Sequence, residues 1–180
     1  QDGITVKILT GDNATVTKSV ASRVGLNTEY VYSEKDFVDK GEEEIKKMVE
    51  ECSLFVKLSP EYKAKIIQIL KENGHTVAYM GDGINDTPAM KKADVAISVD
   101  TAVDIAKKSA DIILLHKSLR TLEHGVRIGR QIFANTMKYI KITLSSNFGN
   151  ILSILVASSF LPFLPMLPMQ LLILDLIYGT

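Results

Sequence analysis

The sequence predicts a parallel α/β sheet domain with helices on both faces, followed by a long helix that continues into a transmembrane helical hairpin. Three observations lead there. Over the first 118 residues, short runs that are apolar throughout alternate with amphipathic stretches, as parallel strands covered on both sides require. From Ser118 the chain has no proline until Pro162 and turns progressively apolar. Residues 142–161 then give 20 positions without a formal charge, about the length that spans a bilayer.

Taken in order, the expected strands are ITVKIL (4–9), LFVKL (54–58), HTVAYM (75–80), VAISV (95–99) and IILL (112–115). Helical patterns lie between them at 13–25, 42–51, 60–73, 86–92 and 101–108. The helix at 60–73 carries the fullest set of signals. Ser59 suits its N-cap, Pro60 its first turn, and Glu61 the positive end of its dipole. Tyr62, Ile66, Ile69 and Leu70 form one apolar stripe, and Gly74 ends it. The pair Ala-Asp followed by apolar residues recurs at 93–97 and 110–114, which reads as two neighbouring strands entered alike. Residues 118–161 read as one helix whose first half is amphipathic and basic. PFLPMLP (162–168) is a turn, and MQLLILDLIYGT begins a second apolar segment. Arg127, Arg130, Lys138 and Lys141 flank the first span and place that side in the cytoplasm. The competing reading is a buried core hairpin of a soluble protein.

Composition bounds the function. Lys and Arg number 21 and so do Asp and Glu, which leaves no charge excess to point to nucleic acid. That zero hides an asymmetry: residues 1–118 carry 16 basic against 19 acidic groups, and 119–180 carry 5 against 2. A lone Cys52 excludes an internal disulfide framework. Residues 1–15 lack the basic start and apolar core of a signal peptide. The chain opens without Met and stops within an apolar run, so it reads as a piece of a larger protein.

The chemistry concentrates in GDGIND (81–86). It sets Asp82, Asn85 and Asp86 on a glycine turn after an apolar strand, at the edge where open α/β sheets bind ligands. Two carboxylates four apart suit a hard cation held beside a phosphate. The alternative is a strand-to-helix turn in which these residues only cap the next helix. TGD (10–12) follows the first strand and offers the Thr10 hydroxyl and backbone amides to phosphate oxygens, or again a cap. Lys63 lies in the first turn of its helix, off the apolar stripe, where a cation opposes the dipole and an anion would compensate it. Lys65 beside it reads as solvated surface. Hydroxyl, ammonium and carboxylates at the ends of different strands are what phosphoryl transfer asks for.

TGD, SPEYK and GDGIND followed by PAMKKADVAISV, in that order, resemble the phosphorylation domain of P-type ion-transporting ATPases, members of the haloacid dehalogenase-like group. The resemblance implies a Rossmann-like haloacid dehalogenase-type sheet, ATP as substrate of the intact protein and Mg²⁺ as its catalytic cation. It implies that Thr10 and Lys63 contact the aspartyl phosphate, that Asp82 binds Mg²⁺, and that Asn85 and Asp86 help hold the site, Asp86 also near the metal. Gly11, Asp12 and Lys57 match positions near the nucleotide. Met80 departs from the Thr that many members have before GDG.

Residues 138–172 resemble the fifth membrane helix, outer turn and sixth helix of bacterial magnesium-transporting P-type ATPases. Asn147 and Asn150 lie three apart on one helix face, where amide oxygens serve a cation. Asp175 in the second apolar segment is costly at mid-bilayer, by about 2.5–3.5 kcal/mol, which marks it as a transported-ion ligand. Interhelical hydrogen bonding is the alternative for Asn147. The family pattern commonly has Asn at Asp175 and Asp after Tyr178; Gly179 stands there, by nature or as a cloning scar.

No DKTGT-like segment occurs, so the nucleophilic aspartate is expected outside these residues and the fragment alone is expected to be inactive. The expected organisation is therefore 1–117, the carboxy-terminal part of the phosphorylation domain; 118–141, a cytoplasmic stalk helix; 142–161, a membrane helix; 162–168, an outer turn; and 169–180, the start of the next helix. The expected location is the plasma membrane, multi-pass, with residues 1–141 cytoplasmic. Expected partners are ATP, a transported cation, membrane lipid and the remaining domains of the parent chain, with Mg²⁺ favoured as cargo. A soluble haloacid dehalogenase-like phosphatase is the alternative, and a membrane-anchored binding module without activity the third.

Overall fold

The computed structural model describes residues 3–23, 25–163 and 166–178. The chain divides into two compact units, Gln1–Thr121 and Leu122–Thr180. In the first, strands β1 (Ile8–Leu9), β2 (Val31–Ser33), β3 (Leu54–Val56), β4 (Ala78–Met80), β5 (Val95–Val99) and β6 (Ile112–Leu114) alternate with helices. These are α1 (Ala14–Arg23), α2 (Glu42–Glu51), α3 (Pro60–Glu72), α4 (Thr87–Lys92) and α5 (Asp104–Lys108). Every strand pairing among the described residues is parallel.

The strands form two three-stranded sheets, β1-β3-β2 and β4-β5-β6, where the sequence suggested one. The cause is specific: no ladder joins β1 to β4 among the described residues, so each is an edge strand. Strand β2 was not anticipated. Three half-buried residues running into the charged Ser33–Asp36 give no apolar run to detect. Most anticipated strands are also shorter than their apolar runs. LFVKL stops at Val56 because Lys57 adopts a left-handed φ of 50°, which ends the ladder.

Alternation along β3 builds the core of the first sheet. Phe55 faces a cluster with Phe37, Ile45, Val49, Cys52, Ile66 and Leu70, contributed largely by α2 and α3. Leu54 and Val56 face the other way and pack on Ala21 of α1. Each face of this strand is thus closed by helix, which is why β3 is buried along its length. Helix α3 starts as expected. The Ser59 hydroxyl accepts from the Tyr62 amide at 3.4 Å, Pro60 occupies the first turn, and Gly74 at φ 89° follows its end.

The repeated Ala-Asp pair has a common geometry. The Val77 amide donates to an Asp94 carboxylate oxygen at 2.9 Å, while the Asp94 amide returns a bond to Val77 C=O. Asp111 does the same with Ala96, at 2.8 Å in both directions. Each aspartate pins the entrance of one strand to the preceding one, so β4, β5 and β6 enter in register.

Helix α6 runs unbroken over Leu119–Phe160, and none of its residues is buried. It is long and apolar enough to cross a membrane. α7 follows at Pro168–Tyr178.

Candidate functional site

The carboxyl ends of β1 and β4 border one cavity of about 380 Å³. Thr10, Lys63, Tyr79, Asp82, Asp86 and Lys117 line it. Four of these were predicted; Tyr79 and Lys117 were not.

Gly81 makes the turn possible. Its amide donates to Ile97 C=O at 3.0 Å, and its carbonyl accepts from the buried Ser98 hydroxyl at 2.9 Å. The strand end is thereby fixed to β5. A Cβ at this position would lie 2.5 Å from the Asp86 Cβ. Only glycine lets the turn Ile84–Asp86 fold Asp86 back against the strand it has just left.

Asp86 then sits among three donors. Lys63 Nζ reaches its Oδ1 at 2.8 Å, the Tyr79 hydroxyl reaches the same oxygen at 2.9 Å, and the Gly83 amide donates to Oδ2 at 3.3 Å. Burial pushes the carboxyl up. The Lys63 ammonium, the Tyr79 hydroxyl and the Gly83 amide outweigh burial and hold it below the usual carboxylate range. Tyr79 moves oppositely: burial first, then the adjacent carboxylate, raise its phenol far above the ordinary value, so it stays a donor. Lys63 is 8% exposed. The lysine that lay off the apolar stripe is buried after all, against a carboxylate of its own chain.

Asp82 is arranged differently. Its side chain is exposed, and Oδ2 accepts from Lys117 Nζ at 2.9 Å. The Thr10 hydroxyl donates to Asp12 Oδ2 and accepts from the Asp12 amide, both at 3.1 Å. Asp12 C=O in turn accepts from the Lys57 amide at 3.1 Å, so these two neighbour one another. Gly11, Asp12, Lys57 and Asn85 are not among the cavity-lining residues. Asn147 and Asn150 lie three residues apart on α6, the first exposed and the second half-buried. Asp175 belongs to α7, and its side chain lies outside the described residues.

Among the described residues, no group of three or more His, Cys, Asp or Glu converges. That does not exclude Mg²⁺ on chemical grounds, because this ion keeps several waters and takes one or two carboxylates plus phosphate oxygens. Asp82 is the accessible carboxylate for it. Asp86, engaged by three donors, faces the same cavity.

Comparison with known proteins bears on this geometry. The family model for haloacid dehalogenase-like hydrolases matches residues 1–94. The chain belongs to that family. This haloacid dehalogenase-like chain is also 55% identical over 178 residues to the magnesium-transporting ATPase, P-type 1, of Escherichia coli strain K12. The match takes 99% of this chain and 20% of that protein. A calcium-transporting ATPase of Bacillus subtilis is 36% identical over 158 residues, 86% of this chain and 18% of the relative. Among solved structures, a zinc-transporting PIB-type ATPase superposes with a TM-score of 0.62 at 29% identity, covering 85% of this chain and 21% of that one. The chain thus spans about a fifth of the length of the relatives it matches.

Proposed function

We propose that this chain is part of an ATP-driven cation pump of the P-type, with Mg²⁺ the favoured cargo, working through an aspartyl phosphate. The observation that carries the reading is the convergence on one cavity of Thr10, Lys63, Asp82 and Asp86, from three separate stretches of chain. The extent of the likeness to a magnesium-transporting ATPase supports it. In this reading residues 1–117 are the later part of the phosphorylation domain and 118–141 a stalk. Residues 142–161 and 169–180 are membrane segments of a multi-pass protein in the cell membrane, joined by 162–168.

In the proposed reaction, an aspartate carboxylate from outside these 180 residues attacks the γ-phosphorus of ATP, the bond to the β-γ bridging oxygen breaks, and ADP leaves. β1 and β4 are open edges whose carboxyl ends both border the cavity, and a parallel strand between them would deliver that aspartate there. Thr10 would turn its hydroxyl from Asp12 Oδ2, which now accepts it, to a phosphoryl oxygen. The Lys63 ammonium lines the same cavity and would offset the charge that phosphate brings, while Tyr79 keeps Asp86 in place beside it. Asp82 would hold Mg²⁺, which supplies charge neutralisation across the phosphoryl oxygens when bound. Gly11, Asp12 and Lys57 are assigned to the nucleotide side and Asn85 to the turn that supports the site. Asn147, Asn150 and Asp175 are the proposed ligands of the transported cation, two amides and one carboxylate suiting an ion that retains water.

Radiolabelled ATP and Mg²⁺ test the reading. A full-length protein containing this chain should take up covalent, hydroxylamine-sensitive phosphate, and the 180 residues alone should take up none. Label on the isolated chain, or none on the full-length protein, overturns the proposal.

A further inference from the structure

Two lysine–aspartate pairs share the cavity, and they are built for different purposes. Lys63 is 8% exposed and reaches Asp86 from the first turn of α3, a helix packed against both α2 and α4. Lys117 lies in the stretch between β6 and α6, its side chain is 68% exposed, and its hydrogen bond goes to Asp82 Oδ2 at 2.9 Å. Asp82 is the carboxylate with no other donor on its oxygens among the described residues.

We propose that Lys117 is a displaceable counter-ion, whose ammonium holds Asp82 Oδ2 and yields it when a divalent cation arrives at that carboxylate. This rests on the reading of Asp82 as the cation-binding carboxylate. Mg²⁺ binds a carboxylate oxygen at about 2.1 Å. An ammonium hydrogen-bonded to that same oxygen would then stand a few ångströms from a double positive charge with no shielding group between them. Lys117 engages only Oδ2, so the two compete for Asp82 through this repulsion, each weakening the hold of the other. A flexible four-carbon stem and an exposed position let Lys117 swing away at little cost, whereas Lys63, enclosed by α3 and β4, cannot.

With Lys117 on Asp82, the two ammonium groups balance this chain's two carboxylates, and the incoming aspartate leaves the site one unit negative. With a divalent ion in its place, the same five groups sum to zero. Phosphate is therefore repelled less once the cation has entered, and exchange of Lys117 for the cation links one event to the other. Lys117 is a positioning residue, acting on substrate through Asp82.

The test is amine reactivity in full-length protein containing this chain, with limiting acetylation read residue by residue from peptide masses. Lys117 should be shielded without divalent ion and become more reactive as Mg²⁺ is added, with Lys18 on α1 as the unresponsive reference. In Asp82→Asn, Lys117 should be reactive from the start and indifferent to Mg²⁺. In Lys117→Met, half-maximal phosphoenzyme should need about two- to fivefold less Mg²⁺, the range expected for loss of one exposed ion-pair competitor. Lys117 reactivity that ignores Mg²⁺, equal reactivity in Asp82→Asn and wild type, or a higher Mg²⁺ requirement in Lys117→Met would overturn the proposal. If phosphoenzyme forms while Lys117 ignores Mg²⁺, the pump reading stands and this inference falls; absence of phosphoenzyme removes the pump reading itself.

Discussion

The two walls of the cavity differ in how they hold a carboxylate. On the α3–β4 wall, Asp86 is enclosed by an ammonium, a phenol and a backbone amide, and each donor sits on regular structure or on the tight turn that follows it. Asp82 and Lys117, by contrast, meet in the open, and Lys117 comes from a connecting segment. One carboxylate is held at a fixed position, and the other is left accessible. The proposed phosphate site would use both, because geometry must be preset where charge develops while a cation must still enter and leave.

The largest effect should come from unpairing the enclosed wall. Lys63→Met leaves a largely buried carboxylate without its ammonium, and breaking such a pair costs about 3–5 kcal/mol. In hydrogen exchange by mass spectrometry, amides of α3 and β4 should open more than a hundredfold more often, at roughly 1.4 kcal/mol per decade. Lys117→Met, by contrast, should leave those amides within about a factor of five of wild type. Equal responses to the two substitutions would erase the distinction between the walls.

Gly81→Ala attacks the same wall through sterics. Its Cβ would meet the Asp86 Cβ at 2.5 Å, and that atom is fixed by its own backbone, so the turn itself must shift. Overpacking of this kind costs about 1–3 kcal/mol. Protection around residues 81–86 should fall, and the Lys63–Asp86 bond should lengthen, whereas the β1–β3 pairing should be untouched. Loss of protection across β1 and β3 as well would mean that the turn supports more than its own wall.

How much of this was readable in advance follows the same division. GDGIND announced Asp82 and Asp86 because glycine, carboxylate and amide at close spacing form a local pattern. SPEYK announced Lys63 for a similar reason: a cap and a first-turn lysine are legible within five residues. The alternation of apolar runs gave the parallel α/β class, and the proline-free, increasingly apolar stretch from Ser118 gave the long helix α6, since both are patterns carried along the chain. Lys117 was invisible because its partner is 35 residues away, and no local pattern marks a lysine after a strand. Tyr79 left a faint signal, as a buried tyrosine next to a polar turn needs a partner for its hydroxyl, but the sequence does not say which. The split into two sheets was also beyond reach, because it depends on what does not pair, and strand pairing is non-local.

The finest distinction between the walls lies in their response to acid, and Tyr79→Phe isolates it. The phenol contributes one of three donors to Asp86, and losing it while Lys63 and Gly83 remain should cost about 1 kcal/mol near neutral pH. The Asp86 carboxyl is held below its usual range in the folded protein. Its stabilising contribution is therefore fully present above the unfolded value of about 3.9 and is lost as pH falls through the lower, folded value. Removing the phenol moves the folded value back toward the unfolded one, so wild type and variant should converge in acid. Carbon-13 titration of the Asp86 carboxyl should show the midpoint rising in Tyr79→Phe, with the difference in β4 amide protection shrinking as the carboxyl protonates. A difference that stayed constant through the Asp86 titration would mean that Tyr79 supports the wall by packing alone. Asp86 would then owe its ionised form to Lys63 and the Gly83 amide.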